Sequence, residues 1–302
     1  MLTDALDLLI CPHCGTDWDP EASGPRTLVC AEGHRYDAAR QGYVSFLTGR
    51  GTGFTPDTAA MVAARDRFLT AGHYAPIAEA LAEACGPLRE DAALLDAGAG
   101  TGYYLAAVLG LRGTAAVGTA AVGAAAVGAA AVGSADARRR RAVALDLSPH
   151  ALRRAARLPG VAAIVWDLWR PLPLAAASVD GVLDVFSPRN LPEFARVTRR
   201  GGLLCVVTPL PGHLAELRER LPLLSVPEGK AEALEHTASN DYEPVSRVPL
   251  EFPLALSPGA AADLVQMGPA GHHTDRGELE RLVGGETLNA TAAVELSVLR
   301  RR

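Results

Sequence analysis

Two groups of residues in this chain have the types and spacing to do chemistry. The first is Cys11-Pro-His-Cys14 followed by Cys30-Ala-Glu-Gly-His34, a Cys-x2-Cys pair and a Cys-x3-His pair with fifteen residues between them. Two close pairs of soft or borderline ligands, each on a tight turn, can converge on one tetrahedral ion at ~2.0–2.3 Å per bond, and zinc suits that donor set best. Pro12, Gly15 and Gly33 supply the bends such knuckles need. Four good ligands leave no open coordination position, so the expected role is structural. His13, between the two cysteines, is expected to point away from a site closed by His34.

The second group is Leu94-Leu-Asp96-Ala-Gly98-Ala-Gly100-Thr101-Gly102, an apolar run that ends in an acid and three alternate glycines, with a helix expected from Tyr103. Glycines let the backbone pass close against a ligand at the carboxyl edge of a parallel sheet, which is where such folds bind their cofactors. A dinucleotide fingerprint would read Gly-x-Gly-x-x-Gly, and this Gly-x-Gly-x-Gly departs from it by one position. The next apolar run ends in Asp146, an acid suited to accept hydrogen bonds from both ribose hydroxyls of an adenosine, and the run after that is followed by Asp167. The separation from Gly98 to Asp146 exceeds the ~20 residues usual between loop and ribose acid.

That excess is explained by the intervening sequence. Residues 114–133 hold four tandem pentads, Thr-Ala-Ala-Val-Gly twice and Ala-Ala-Ala-Val-Gly twice. A five-residue period matches neither helix nor strand, so residues 113–137 read as a low-complexity insertion between a helix and the next strand. The basic run Arg138–Arg141 that follows reads as a solvated loop end.

The elements that must position these groups are legible as periodicity. Residues 57–85 show apolar positions three to four apart with Gly72 as a break, the pattern of two helices. From Ala92 to Pro209, apolar runs at 92–96, 142–147, 162–166, 181–186 and 203–208 alternate with helical stretches, the signature of βαβ units and a doubly wound parallel sheet. A helix is expected at His213–Leu221, and the alternation at 290–299 suits an antiparallel strand at the end of the sheet. Cys85 and Cys205 fall in apolar surroundings and are expected in the core.

Composition narrows the function classes. With 302 residues, 49% hydrophobic and 21% charged, the chain suits one large domain plus a small one. It contains no membrane-length apolar run, and Met1–Ile10 carries Asp4 and Asp7 without a basic residue, so a cytoplasmic protein is expected. In that reducing compartment five cysteines are better explained as ligands or core than as disulfides. The net charge of −5 argues against non-specific coating of nucleic acid and leaves room only for local basic patches.

The loop with Asp146 and Asp167 resembles the cofactor motifs of class I S-adenosylmethionine-dependent methyltransferases, α/β enzymes with a Rossmann-like doubly wound sheet. The resemblance implies that the glycines face the amino acid part of the donor and that Asp167 meets the adenine. Together with His34-Arg-Tyr-Asp37, Gln41-Gly-Tyr43, Arg65-Asp-Arg67-Phe-Leu-Thr-Ala-Gly72-His-Tyr74 and Thr208-Pro209-Leu-Pro-Gly-His213-Leu, the pattern over residues 11 to about 220 is similar to the 23S ribosomal RNA (guanine-N1)-methyltransferases. That family includes enzymes giving resistance to tylosin-type macrolides. The resemblance implies zinc at Cys11, Cys14, Cys30 and His34, a donor contacted by Tyr74, Gly100, Thr101 and His213, a 23S rRNA hairpin as partner, and action as a dimer. Residues 1–45 would form a zinc-binding RNA-recognition module, 46–90 a helical linker and 91–302 the methyltransferase domain. Thr101 stands where the family can carry an acid.

Methylation at guanine N1 requires loss of a proton and in-line alignment with the donor. The run Val182-Leu-Asp184-Val-Phe186-Ser187-Pro188 delivers residues to the sheet's carboxyl edge. There Phe186 could stack on an extracted guanine, while Asp184 or backbone carbonyls near Pro188 are candidates to assist proton loss. Arg35, Arg40, Arg50, Arg65 and Arg67 are candidates for phosphate contacts, although residues 1–50 hold seven acids against four arginines. Two other readings stay open: a small-molecule methyltransferase on the same core, and a zinc-containing RNA-binding protein without catalysis.

Overall fold

The computed structural model describes residues 2–49, 51–111, 140–223 and 230–302. The 113–137 insertion, Arg50, Arg138 and Arg139 lie outside them. After a 3-10 segment at Leu2–Leu8 come short strands β1 (Thr27–Val29), β2 (Arg35–Asp37) and β3 (Val44–Ser45), then helices α1 (Ala59–Thr70) and α2 (Ala75–Cys85). The central run is β4 (Ala93–Ala97), α3 (Tyr103–Val108), β5 (Arg141–Asp146), α4 (Pro149–Ala155), β6 (Val161–Val165), β7 (Val179–Val185), α5 (Leu191–Val197) and β8 (Thr198–Pro209). Helix α6 (Lys230–Ala238), β9 (Tyr242–Leu256), α7 (Pro258–Gln266), α8 (Arg276–Val283) and β10 (Leu288–Arg301) complete the chain.

The main sheet has the order β3-β6-β5-β4-β7-β8-β10-β9. From β3 to β8 neighbouring strands are parallel, and β10 is antiparallel to both β8 and β9. The strand order reverses on either side of β4, whose carboxyl end opens a crevice there. Both sheet faces are covered, so the strands read as continuous apolar runs. Leu94, Ala144 and Leu183 pack with α1–α4, α7 and α8 on one side, and Leu95, Val143 and Val182 pack with α5 and the N-terminal segment on the other.

The N-terminal residues do not build a core of their own. Leu8, Leu9, Trp18, Leu28 and Phe46 share one buried cluster with Ala93, Leu145 and Ile164 of the sheet. Trp18 stacks on Phe46 (ring centroids 5.6 Å apart), and Phe46 meets Trp166 edge-on at 6.5 Å.

Three expectations are corrected. The last strand is not at the sheet end: β10 lies one place in, and the edge is β9, whose Pro244, Pro249 and Pro253 suit a strand with one unpaired side. Residues 213–221 hold only a 3-10 turn at Ala215–Leu217, because Leu214 turns left-handed (φ 56°) to donate its N–H to the Thr291 carbonyl while Glu216 takes the Thr291 N–H and hydroxyl. The described part of the basic run is not solvated. Arg140 is buried and donates to the Leu109 carbonyl at the end of α3 and to the Leu88 carbonyl in the loop after α2, and Arg141 opens β5 and pairs with Asp7 at 2.6 Å. Among the described residues no helix is long and apolar enough to cross a membrane.

Candidate functional site: a donor cavity and a metal knuckle

The ligand atoms of Cys11, Cys14, Cys30 and His34 lie within 4.8 Å of one another. Two sulfurs held ~2.3 Å from one tetrahedral ion sit ~3.7 Å apart, and Cys14 Sγ to Cys30 Sγ is 3.7 Å, with Cys30 Sγ 3.3 Å from His34 Nδ1. Each pair is closed by a backbone turn, Gly15 N–H to the Cys11 carbonyl and Gly33 N–H to the Cys30 carbonyl, both glycines having positive φ. Burial raises the Cys30 thiol, but hydrogen bonds from the His34 ring and backbone outweigh it and bring the group to about 6, toward the thiolate a metal requires. The donor set fits zinc. His13 lies outside the cluster, its ring 4.1 Å from that of His34.

At the carboxyl edge of β4 a cavity of about 750 Å³ is lined by Asp96, Gly98, Gly100, Thr101, Asp146, Asp167, Tyr74, Phe186 and His213, a size ordinary for a small-molecule site. All eight residues expected to hold the donor meet there. Gly98 (φ +80°) cannot be anything larger: an added Cβ would lie 2.6 Å from Ser187 Cβ. The loop is therefore clamped against the tip of β7. Asp146 fixes it from below, accepting the Gly100 N–H at 2.8 Å and the Ser148 N–H at 2.7 Å. Asp167 accepts the Thr52 hydroxyl (2.7 Å) and the Trp169 N–H (3.0 Å). Burial, with the Asp146 charge adding to it, raises the Asp96 carboxyl to about 8.

Tyr74, at the start of α2, and His213, just past β8, meet over the cavity, Oη to Nε2 3.1 Å. His213 Nδ1 accepts the Ala293 N–H at 3.2 Å, and burial holds the ring at about 4. A neutral ring whose Nδ1 accepts must carry its proton on Nε2, so His213 donates to Tyr74. Burial raises the Tyr74 phenol well above the usual tyrosine range, and its own hydrogen is left to donate elsewhere. Phe186 is the other aromatic of this group, its ring centroid 6.1 Å from Tyr74 and 6.2 Å from His213. It follows the last residue of β7 at φ +55°, a conformation costly for a bulky residue, and stays 41% exposed.

The structure corrects two expectations here. Asp184 is 1% exposed and absent from the cavity lining: strand alternation turns it to the face opposite Leu183 and Val185, and burial raises its carboxyl far above the usual range. It has no access to an acceptor and supports the β7 tip instead. Of the arginines expected to meet RNA, Arg35, Arg40 and Arg67 lie on the surface, Arg67 also pairing with buried Asp263 of α7 (2.6 Å), whereas Arg65 lines the cavity. Arg65, Asp57, Phe54, Trp169 and Met267 are cavity residues with no local sequence signal, brought in by α1, by the segments before it and after β6, and by the stretch after α7.

A glycine loop after the first strand of the parallel core, acids at the ends of the next two strands and a final antiparallel strand slotted beside its edge define a class I S-adenosylmethionine-dependent methyltransferase. No protein-family model matches the sequence. The chain is 41% identical to a 23S rRNA (guanine-N1)-methyltransferase of Micromonospora griseorubida, over 98% of each chain. It is 39% identical to the 23S rRNA (guanine(748)-N1)-methyltransferase of Streptomyces fradiae, over 94% of this chain and 92% of that one. It belongs to the 23S rRNA (guanine-N1)-methyltransferase family. Among solved structures it is similar to a chain of the complex between the Haloferax volcanii Trm112 methyltransferase activator and its methyltransferase, at 20% identity and a TM-score of 0.49, covering 82% of this chain and 99% of that one.

Proposed function

We propose that the protein transfers a methyl group from S-adenosylmethionine to N1 of a guanine in a hairpin of 23S rRNA. The observation that carries this reading is the near full-length similarity to the Micromonospora enzyme, which spans the metal knuckle and the donor cavity together. The relative from Streptomyces fradiae acts at guanine 748, and the equivalent guanine is the first to test here. Macrolide resistance, cytoplasmic location and a dimer with a shared RNA cleft follow from the same family reading.

S-adenosylmethionine supplies the methyl group on a sulfonium that leaves as a neutral thioether. Gly98, Gly100, Thr101, Tyr74 and His213 hold its amino acid end, and Asp146 and Asp167 hold the adenosine. Phe186 stacks on the extracted guanine, which explains an exposed aromatic at the mouth of the cavity. Neutral His213 and Tyr74 act by hydrogen bonding rather than as bases. The carbonyls at Ser187–Pro188 receive the N1–H edge and fix the base while the N1 proton passes to solvent water and the new N1–CH3 bond replaces the donor's S–CH3 bond, so most of the acceleration comes from alignment. The zinc knuckle and the exposed Arg35 and Arg40 position the hairpin through its phosphates.

The test is incubation of zinc-loaded protein with labelled donor and unmodified 23S rRNA, followed by nuclease digestion and mass spectrometry. Label in 1-methylguanosine is expected. Donor binding without labelled RNA would transfer the reading to a small-molecule acceptor.

A further inference from the structure

The described residues lining the donor cavity carry four acids, Asp57, Asp146 and Asp167 together with Asp96, which burial keeps protonated at neutral pH. Against them stands one side chain with a permanent positive charge, Arg65; the other basic residues in the lining are His213, held neutral by burial, and His272. The donor's amino acid end bears a carboxylate. Placed in a cavity this acidic, that carboxylate needs a cation beside it, and a guanidinium is the side chain whose planar fork matches it.

Arg65 is built for the place. It rises from α1 over the cofactor loop, its Nη1 3.6 Å from where a Cβ on Gly100 would stand. Asp57 pairs with Nη1 at 2.5 Å, and the Met267 carbonyl accepts from Nη2 at 2.8 Å. Asp57 is itself anchored, its carbonyl accepting the Ser148 hydroxyl at 2.7 Å. Among the described residues these contacts take one hydrogen from each terminal nitrogen of a group with five N–H donors, which leaves three to face the cavity. The Arg65 side chain is 27% exposed, open to the cavity rather than sealed in a structural pair.

We infer that Arg65 binds the α-carboxylate of the methyl donor, with Asp57 and the Met267 carbonyl orienting its guanidinium. The inference rests on the donor reading of the cavity. It adds a cation to the neutral groups that hold the amino acid end, Tyr74 and His213 among them.

The test is calorimetric and needs no turnover. S-adenosylhomocysteine and its decarboxylated analogue, S-adenosyl-3-thiopropylamine, are titrated into wild-type protein, Arg65→Gln and Arg65→Lys. Loss of a charge-assisted hydrogen-bonded pair is expected to weaken S-adenosylhomocysteine about 10–100-fold in Arg65→Gln. The decarboxylated analogue is expected to bind wild type and Arg65→Gln within about twofold of each other, and Arg65→Lys to recover part of the loss. Equal weakening of both ligands would make Arg65 a structural residue and overturn the inference, as would no weakening of either. Failure of wild-type protein to bind either ligand would instead overturn the donor reading beneath it.

Discussion

The Tyr74 hydroxyl lies 3.1 Å from His213 Nε2, a contact across 139 residues of chain that ties the start of α2 to the turn after β8 directly over the cofactor loop. Because the Ala293 N–H occupies His213 Nδ1, the direction of this hydrogen bond is fixed, and the phenol keeps a hydrogen to offer.

Tyr74→Phe keeps the ring contacts with Phe68, Phe186 and Phe252 but leaves the buried Nε2–H of His213 without an acceptor. A stability loss of ~1–3 kcal/mol is expected, together with weaker donor binding. Urea unfolding and calorimetry read the two effects separately; unchanged values in both would show that the contact is incidental.

Gly98→Ala should abolish donor binding, since the new methyl group meets Ser187 and the residue must keep φ +80°. Adding Ser187→Gly removes the collision but not the backbone strain of ~1–2 kcal/mol. Partial recovery in the double variant is therefore expected. Normal donor affinity in Gly98→Ala alone would contradict the clamped loop.

Metal analysis should find one zinc per chain, and Cys30→Ser should lose it. Because Trp18, Leu28 and Phe46 share a core with the sheet, the metal-free protein is expected to show faster amide exchange at residues 9–37 and a lowered unfolding midpoint. An unchanged midpoint after chelation would deny the ion a structural role.

Asp96, raised to about 8 by burial and by the Asp146 charge, holds a proton at neutral pH that an unfolded carboxylate, with a pKa near 3.9, does not. A cationic ligand in the cavity favours its ionised form. S-adenosylmethionine binding should therefore release protons, and its affinity relative to uncharged-sulfur S-adenosylhomocysteine should rise from pH 6 to about 8 and then level. His213, held at about 4, does not titrate in that window. Titrations in buffers of different ionisation enthalpy check the release. A ratio independent of pH, or one unaltered in Asp96→Asn, would contradict it.

Much of this was legible from the sequence because the signals are local. The knuckle pairs, the glycine loop and the acids at the ends of β5 and β6 each sit within a few residues of the element that positions them. Strands β4 to β8 are buried on both faces and read as plain apolar runs. Strand β9 was hidden because its prolines, acceptable only at an edge, look like loop residues until β10 pairs with it. Arg65 was misplaced for a related reason: an arginine on an amphipathic helix looks solvent-facing, and only the packing of α1 over Gly100 turns it inward. Asp184 is one candidate beside the carbonyls near Pro188 by its position at a strand end, and the alternation of β7 puts it on the face away from the cavity.

The most direct test is primer extension on 23S rRNA after incubation with the zinc-loaded protein and S-adenosylmethionine, since a methyl group on N1 blocks the pairing edge of guanine. The account predicts one donor-dependent reverse-transcriptase stop at a hairpin guanine, the equivalent of the position 748 named for the Streptomyces fradiae relative being the first to inspect. An RNA copied without any new stop, by protein that demonstrably binds the donor, would contradict it.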